Sequence, residues 1–157
     1  MKPSVRFVSI ARLVLDEKNA NQGTKRGRQL LGNSLEKYGA ARSLVVDRNN
    51  RVIAGNKTVE AARAAGMKSI SVIETDGSSL VAVQRGDLDL KRDKKARELA
   101  IADNRVGEID LAWNPEVLAS LDADLARFWN ENEPNAPLKD FSVRLVSADQ
   151  VSYPTGL

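Results

Sequence analysis

The stretch Val52-Ile53-Ala54-Gly55-Asn56-Lys57-Thr58-Val59-Glu60-Ala61-Ala62 decides how this sequence is read. Val52–Ala54 is a short apolar run of strand character, Gly55 stops it, and Asn56 belongs to the residue types that cap helices. Lys57–Ala65 then reads as an alanine-rich helix closed by Gly66. A helix that begins directly after a strand and a glycine presents unpaired backbone N–H groups and the positive end of its dipole to whatever lies beyond it. Lys57 adds a positive charge in the first turn, Thr58 adds a hydroxyl, and Gly55 lets an anion approach the backbone without a Cβ in the way. An anion site is the sharper reading of this corner. Ordinary capping beside a solvated lysine is the plainer one.

Upstream, Arg51–Ala54 pairs naturally with Ser43–Asp47 as a hairpin, because Arg48-Asn49-Asn50 is turn chemistry able to reach positive φ. Before it, Leu30, Leu31, Leu35 and Tyr38 recur at three- and four-residue spacing, predicting an amphipathic helix from about Lys25 to Tyr38 that Gly39 stops. Asp16–Gly27 is polar and basic, carrying Lys25, Arg26 and Arg28, and Val5–Ile10 and Leu13–Leu15 read as extended. Downstream, Ser69–Glu74 and Leu80–Gln84 read as two strands joined at Asp76-Gly77-Ser78. A helix begins near Asp93, with Ala96, Leu99, Ala100, Asp103 and Val106 on one face, so a carboxylate interrupts an apolar stripe. Trp113-Asn114-Pro115-Glu116 opens a short helix to about Leu121, and a last helix covers roughly 122–130. Beyond a polar, proline-bearing connector, Phe141–Val146 has the pattern of an edge strand before the tail. No internal repeat or low-complexity segment stands out.

The fold class expected is a small α/β (α+β) domain over 1–130, a mixed sheet flanked by helices, with a C-terminal extension over 131–157. Composition narrows the chemistry. The 157 residues contain no cysteine and no histidine. Disulfides, thiol nucleophiles and the usual neutral-pH general base are therefore excluded, leaving carboxylate, lysine and hard-metal chemistry. The N-terminus builds no apolar run of the kind found in signal peptides or membrane spans, so a cytoplasmic location and no membrane partner are expected. The net charge of +3 permits a phosphate-rich partner without demanding one.

The quoted stretch resembles the strand and phosphate-binding helix of ParB/sulfiredoxin-like domains, where a Gly-Glu-Arg-Arg-aromatic-Arg-Ala-Ala motif follows an apolar strand. Gly55, Ala61 and Ala62 match that motif. Leu99-Ala100-Ile101-Ala102-Asp103-Asn104-Arg105 resembles the second ParB landmark, acid-Asn-x-x-Arg on a helix, in the form found in phage and mobile-element relatives. With the Trp113–Glu116 turn after it, the resemblance spans roughly Val5 to Leu121.

What it implies is a nucleoside triphosphate, CTP or ATP, whose phosphates meet Gly55, Asn56, Lys57 and Thr58. The base would lie at the turn holding Gly39, Arg42 and Ser43, and Asn104 and Arg105 would also face the nucleotide. Asp103 and Asn104 would serve magnesium, and Asp103 is the catalytic candidate if phosphoryl transfer occurs. Lys25, Arg26 and Arg28 would meet the DNA backbone without sequence preference, a solvated helix face being the alternative. A homodimer or a partner protein is left open.

The departures count as well. ParB domains carry arginines where this chain has Lys57, Thr58 and Glu60, the family's Gln-Pro is absent beside Arg42, and the arginine expected three residues after Asn104 is Gly107. Sulfiredoxins hold a catalytic cysteine where Asn56 stands, which excludes their reaction. Three functions follow as expectations: a nucleotide-dependent, DNA-associated module of a phage, plasmid or mobile element; a metal-dependent nuclease, NTPase or other phosphoryl-transfer enzyme; and an interaction domain with a degenerate nucleotide pocket.

Overall fold

The computed structural model describes residues 4–121 together with Leu125, Phe128 and Trp129. The chain runs β1 (Ser4–Ser9), a single 3-10 turn (Ile10–Arg12), α1 (Lys25–Tyr38), β2 (Val45–Val46), β3 (Val52–Ala54), α2 (Asn56–Ala64), β4 (Ser69–Glu74), α3 (Lys94–Ile109) and α4 (Pro115–Ser120). This is the mixed α/β architecture expected, with small antiparallel ladders flanked by helices. β1 pairs antiparallel with β4 from Ser4↔Glu74 to Ser9↔Ser69. β2 pairs antiparallel with β3, and Val14 joins that hairpin through a parallel bridge to Arg51.

Two units form. One comprises residues up to Glu17 and Gly23–Leu111, the other Lys18–Gln22 with the chain from Ala112 onward. In the first, α1 packs against α2 and α3. The core gathers Ile10, Leu13, Leu31, Leu35, Val52, Val59, Ala62 and Val106. These are the apolar stripes that the three- and four-residue spacings mark out, brought together because each helix can bury only one face. Val52 on β3 and Val59 on α2 are fully enclosed, which locks the strand, the glycine and the helix start into one rigid corner.

In the second unit, Asn21 bridges antiparallel to Trp113, and the Asn114 side chain caps α4 by accepting from the N–H groups of Glu116 and Val117. Trp113 meets Trp129 edge to face at 5.2 Å. The expected helix over 122–130, of which only Leu125, Phe128 and Trp129 are described, and the strand Phe141–Val146 fall outside the described residues. No helix among the described residues is long and apolar enough to cross a membrane.

Two local expectations are corrected. Asn56 is not the cap of α2. Gly55 takes that place at φ +103, and Asn56 is the first helical residue. Leu80–Gln84 forms no strand, although the Asp76-Gly77-Ser78 turn is present, with Gly77 at φ +78 and Asp76 Oδ1 accepting from the Ser78 N–H. The partner that β4 uses is β1, far away in sequence, so the local turn does not become a hairpin.

Candidate functional site

The start of α2 is built by a conformation and two side chains. The φ of +103 at Gly55 is open to glycine and strained for other residues, and a Cβ there would also meet Leu44 Cδ2 at 2.4 Å. Leu44 thus covers the glycine that an anion was expected to approach. The Asn56 side chain is buried, and its Oδ1 accepts from the Asp16 N–H at 2.8 Å, pinning the loop after Leu15 to the helix. Lys57 lies close to Glu60, with Nζ 3.7 Å from the carboxylate, and its side chain is only 18% exposed. The capping position is a glycine, which brings no side chain of its own to the first N–H groups.

The open cavity lies elsewhere in the same unit. A cleft of about 600 Å³ is lined by Ala41, Arg42 and Ser43, by Val83, Arg85, Leu88 and Leu90, and by Ala96, Leu99, Ala100 and Asp103 of α3. Aliphatic side chains alternate with polar surface along its walls, and its charged groups are Arg42, Arg85 and Asp103. The cleft is a shallow, open depression with apolar and polar surface mixed, rather than an enclosed pocket.

Arg42 donates from Nε to Asp103 Oδ1 and from Nη2 to the Asp103 carbonyl. The pairing explains the carboxylate in the apolar stripe of α3: Asp103 is half-exposed and held by a guanidinium, rather than buried alone. The guanidinium lies beside Gly107, where a Cβ would stand 3.6 Å from Arg42 Nη2, an ordinary contact distance. The chain has glycine where an arginine was expected on α3, with Arg42 reaching the place from the facing turn. Arg105 pairs with Glu108 instead.

Arg85 is the residue that sequence reasoning missed. It donates to both carboxylate oxygens of Asp87 at 2.7 Å and from Nη1 to the Ala40 carbonyl at 3.0 Å. It thereby ties the 83–90 segment to the turn after Gly39, and the Arg85 guanidinium holds the Asp87 carboxyl down at about 2. Arg-x-Asp at short spacing was the available signal. The strand reading of Leu80–Gln84 hid it.

The structure thus brings Arg42, Ser43 and Asp103 together, with Gly39 next to Arg85. Gly55, Asn56, Lys57 and Thr58 sit at the start of α2, outside the cleft lining, although Leu44 joins the two places by following Ser43 and packing on Gly55. Asn104 and Arg105 are exposed on α3, and Lys25, Arg26 and Arg28 are exposed on the first turn of α1. For magnesium, Asp103 and Asn104 offer one carboxylate and one amide oxygen, the carboxylate being engaged by Arg42. Among the described residues no three acidic side chains cluster around a metal-sized space. Adjacent residues on a helix do not face each other, so the two by themselves form no ready-made cation site.

No protein-family model matches the chain, and no curated protein matches it. The chain is similar to a solved ParB-N domain. That structure, described as a Pnob8-like ParB-N domain, is 19% identical, with a TM-score of 0.42, and the match covers 94% of this chain and 48% of the other. The chain spans about half the length of the ParB-N structure it matches. What this chain binds has to be read from its own residues.

Proposed function

We propose that this chain is a ParB-type nucleotide-binding module that associates with DNA, of the kind found in phages and plasmids, and that the cleft beside α3 receives the nucleotide. The observation carrying the reading is the cleft itself, open to solvent, with aliphatic side chains on its walls and Arg42 and Arg85 among them. A base stacks on aliphatic walls, while guanidiniums recognise its carbonyls or the phosphates that follow. Phosphates of CTP or ATP reaching past Leu44 would meet the start of α2, where Lys57 and Thr58 stand with the positive end of the helix dipole. Arg42 is the residue that would exchange Asp103 for phosphate, releasing Asp103, with Asn104, for the magnesium that accompanies the nucleotide. Lys25, Arg26 and Arg28, exposed on one helix turn, are the basic groups offered to a DNA backbone.

A second reading, an interaction domain whose nucleotide pocket has decayed, is favoured by Leu44 over Gly55 and by the proximity of Lys57 to Glu60. Titration of CTP and ATP with magnesium separates the two. Saturable binding that weakens about tenfold or more in Arg42→Ala, the loss of one charge-assisted contact to an anion, supports the first reading. No saturable binding of either nucleotide by the unmodified chain leaves the second. If binding is present, plasmid incubation with the unmodified chain and Asp103→Ala tests whether any metal-dependent cleavage accompanies it.

A further inference from the structure

A short repeat escapes a reading for domain-sized ones. Ser4-Val5-Arg6-Phe7-Val8-Ser9 recurs as Ser142-Val143-Arg144-Leu145-Val146-Ser147, with Phe7 replaced by Leu145. The first copy is β1. The second lies outside the described residues, and its sequence alone carries the comparison.

What β1 does is therefore a guide to what its repeat fits. β1 pairs with β4 along all six residues, setting Val5 opposite Ile73, Arg6 opposite Val72, Phe7 opposite Ser71 and Val8 opposite Ile70. Alternation places Val5, Phe7 and Ile73 on the exposed face, where they are 62%, 80% and 40% exposed, while Val72 is buried on the other. The one difference between the two copies falls at Phe7, the most exposed of these. A strand of this sequence thus carries the side-chain pattern that β4 accepts.

β4 has room for one. Its backbone bonds go to β1, and among the described residues no strand or loop takes up its other edge. Ser69-Ile70-Ser71-Val72-Ile73-Glu74 contains no proline and no lysine to blunt that edge. A two-stranded ladder is marginal alone, and a third strand adds a second row of backbone bonds.

We propose that the open edge of β4 is a strand-docking site and that its occupant is Ser142–Ser147 of a second copy of this chain. Displacing β1 would exchange equal bonds for no gain, whereas filling an edge that no described residue takes up adds them. Two copies exchanging these segments reciprocally fill two edges at once and close a twofold pair. In an antiparallel register like that of β1, Val143 faces Ile73, and Arg144 lies diagonally from the exposed Glu74, within reach of a long side chain.

The chain has no cysteine, so introduced thiols report without background. One preparation carries Ile73→Cys, another Val143→Cys, and the two are mixed and mildly oxidised. A mixed disulfide is expected, well above that formed when Arg144→Cys, which points to the other face, replaces Val143→Cys. It should fall to the control level when Arg144→Pro is added to the Val143→Cys chain, with far-ultraviolet circular dichroism unchanged. Equal yields from the matched and mismatched pairs overturn the proposal. So does a disulfide that forms only when both cysteines share one chain. Loss of amide-exchange protection in β1 on association would place the incoming strand on β1's edge, and overturns the open-edge assignment.

Discussion

The two central helices begin in opposite ways. At α1, Thr24 Oγ1 accepts from the Gly27 N–H at 2.9 Å, and the buried Asp110 accepts at Oδ1 from the Thr24 N–H at 2.8 Å. A carboxylate from the end of α3 thus sits where an external anion would otherwise go, held there by the helix dipole and by the close approach that Gly27 permits. At α2 the capping residue brings no side chain. Gly55 supplies only a conformation, and the nearest side chain able to cap, Asn56, points its oxygen at Asp16. One helix start is closed by the protein's own acid and the other begins at a glycine. The difference teaches that the first helix start is filled from within the chain, whereas the second brings no capping side chain of its own.

The comparison is broken most severely at Gly27. A Cβ there would lie 2.3 Å from Asp110 Oδ1 and 2.5 Å from its Cβ, so Gly27→Ala should cost about 1–3 kcal/mol in urea denaturation. Because the clash is with the Asp110 side chain from its Cβ outward, the same substitution made on Asp110→Gly should cost less, by at least about 0.5 kcal/mol. Additive losses would mean that the acid is not packed against the helix start. Asn56→Ala comes next, at about 1–2 kcal/mol, since it leaves the Asp16 N–H without its acceptor. If Asn56 were free to serve a ligand, that loss would shrink to the level of a surface change.

A smaller contrast sharpens the same point. Thr24→Ala removes a cap and should cost about 1 kcal/mol, whereas Thr58→Ala, in the first turn of α2, should stay within about 0.5 kcal/mol. Nucleotide affinity should follow the reverse order, weakened by Thr58→Ala and indifferent to Thr24→Ala. Calorimetric titration of both variants alongside their melting curves checks the two rankings together.

The elements of this fold were legible where they depend on nearby residues. The spacing of Leu31, Leu35 and Tyr38 marked α1, Asn49-Asn50 marked the hairpin turn, where Asn50 adopts φ +64, and Asn114-Pro115 marked α4. What was not legible depends on partners far along the chain. Leu80–Gln84 looks like a strand because its composition is that of one, yet strand formation needs an edge, and the strand before it pairs with β1. Asp110 and Arg85 look like ordinary surface charges until the fold sets one under Thr24 and the other against Ala40. The candidate site divides the same way. Asp103 could be flagged as an acid on an apolar face, but its partner, Arg42, stands 61 residues away.

The smallest effect expected is on stability and concerns the cleft. Arg85 is anchored by Asp87, whose folded-state value of about 2 lies below the ordinary aspartate value near 4. A depressed carboxylate contributes to stability above its ordinary value and loses that contribution as pH falls through the folded one. The clamp on Arg85 should therefore be intact from neutrality down to about pH 4, and open only as pH approaches 2. Both groups reach solvent, so the change in stability is slight. The structural reading is sharper: the carboxyl carbon of Asp87 should titrate with its midpoint near 2, and the Arg85 Nε–H resonance should move with it. In Asp87→Asn that resonance should already sit near its acid position at neutral pH, while the α1 start, closed by Asp110, keeps its amide shifts. A midpoint near 4 would show that Arg85 is not held by Asp87, and that the guanidinium in the cleft is as free of an acid as the capping position of α2 is of a side chain.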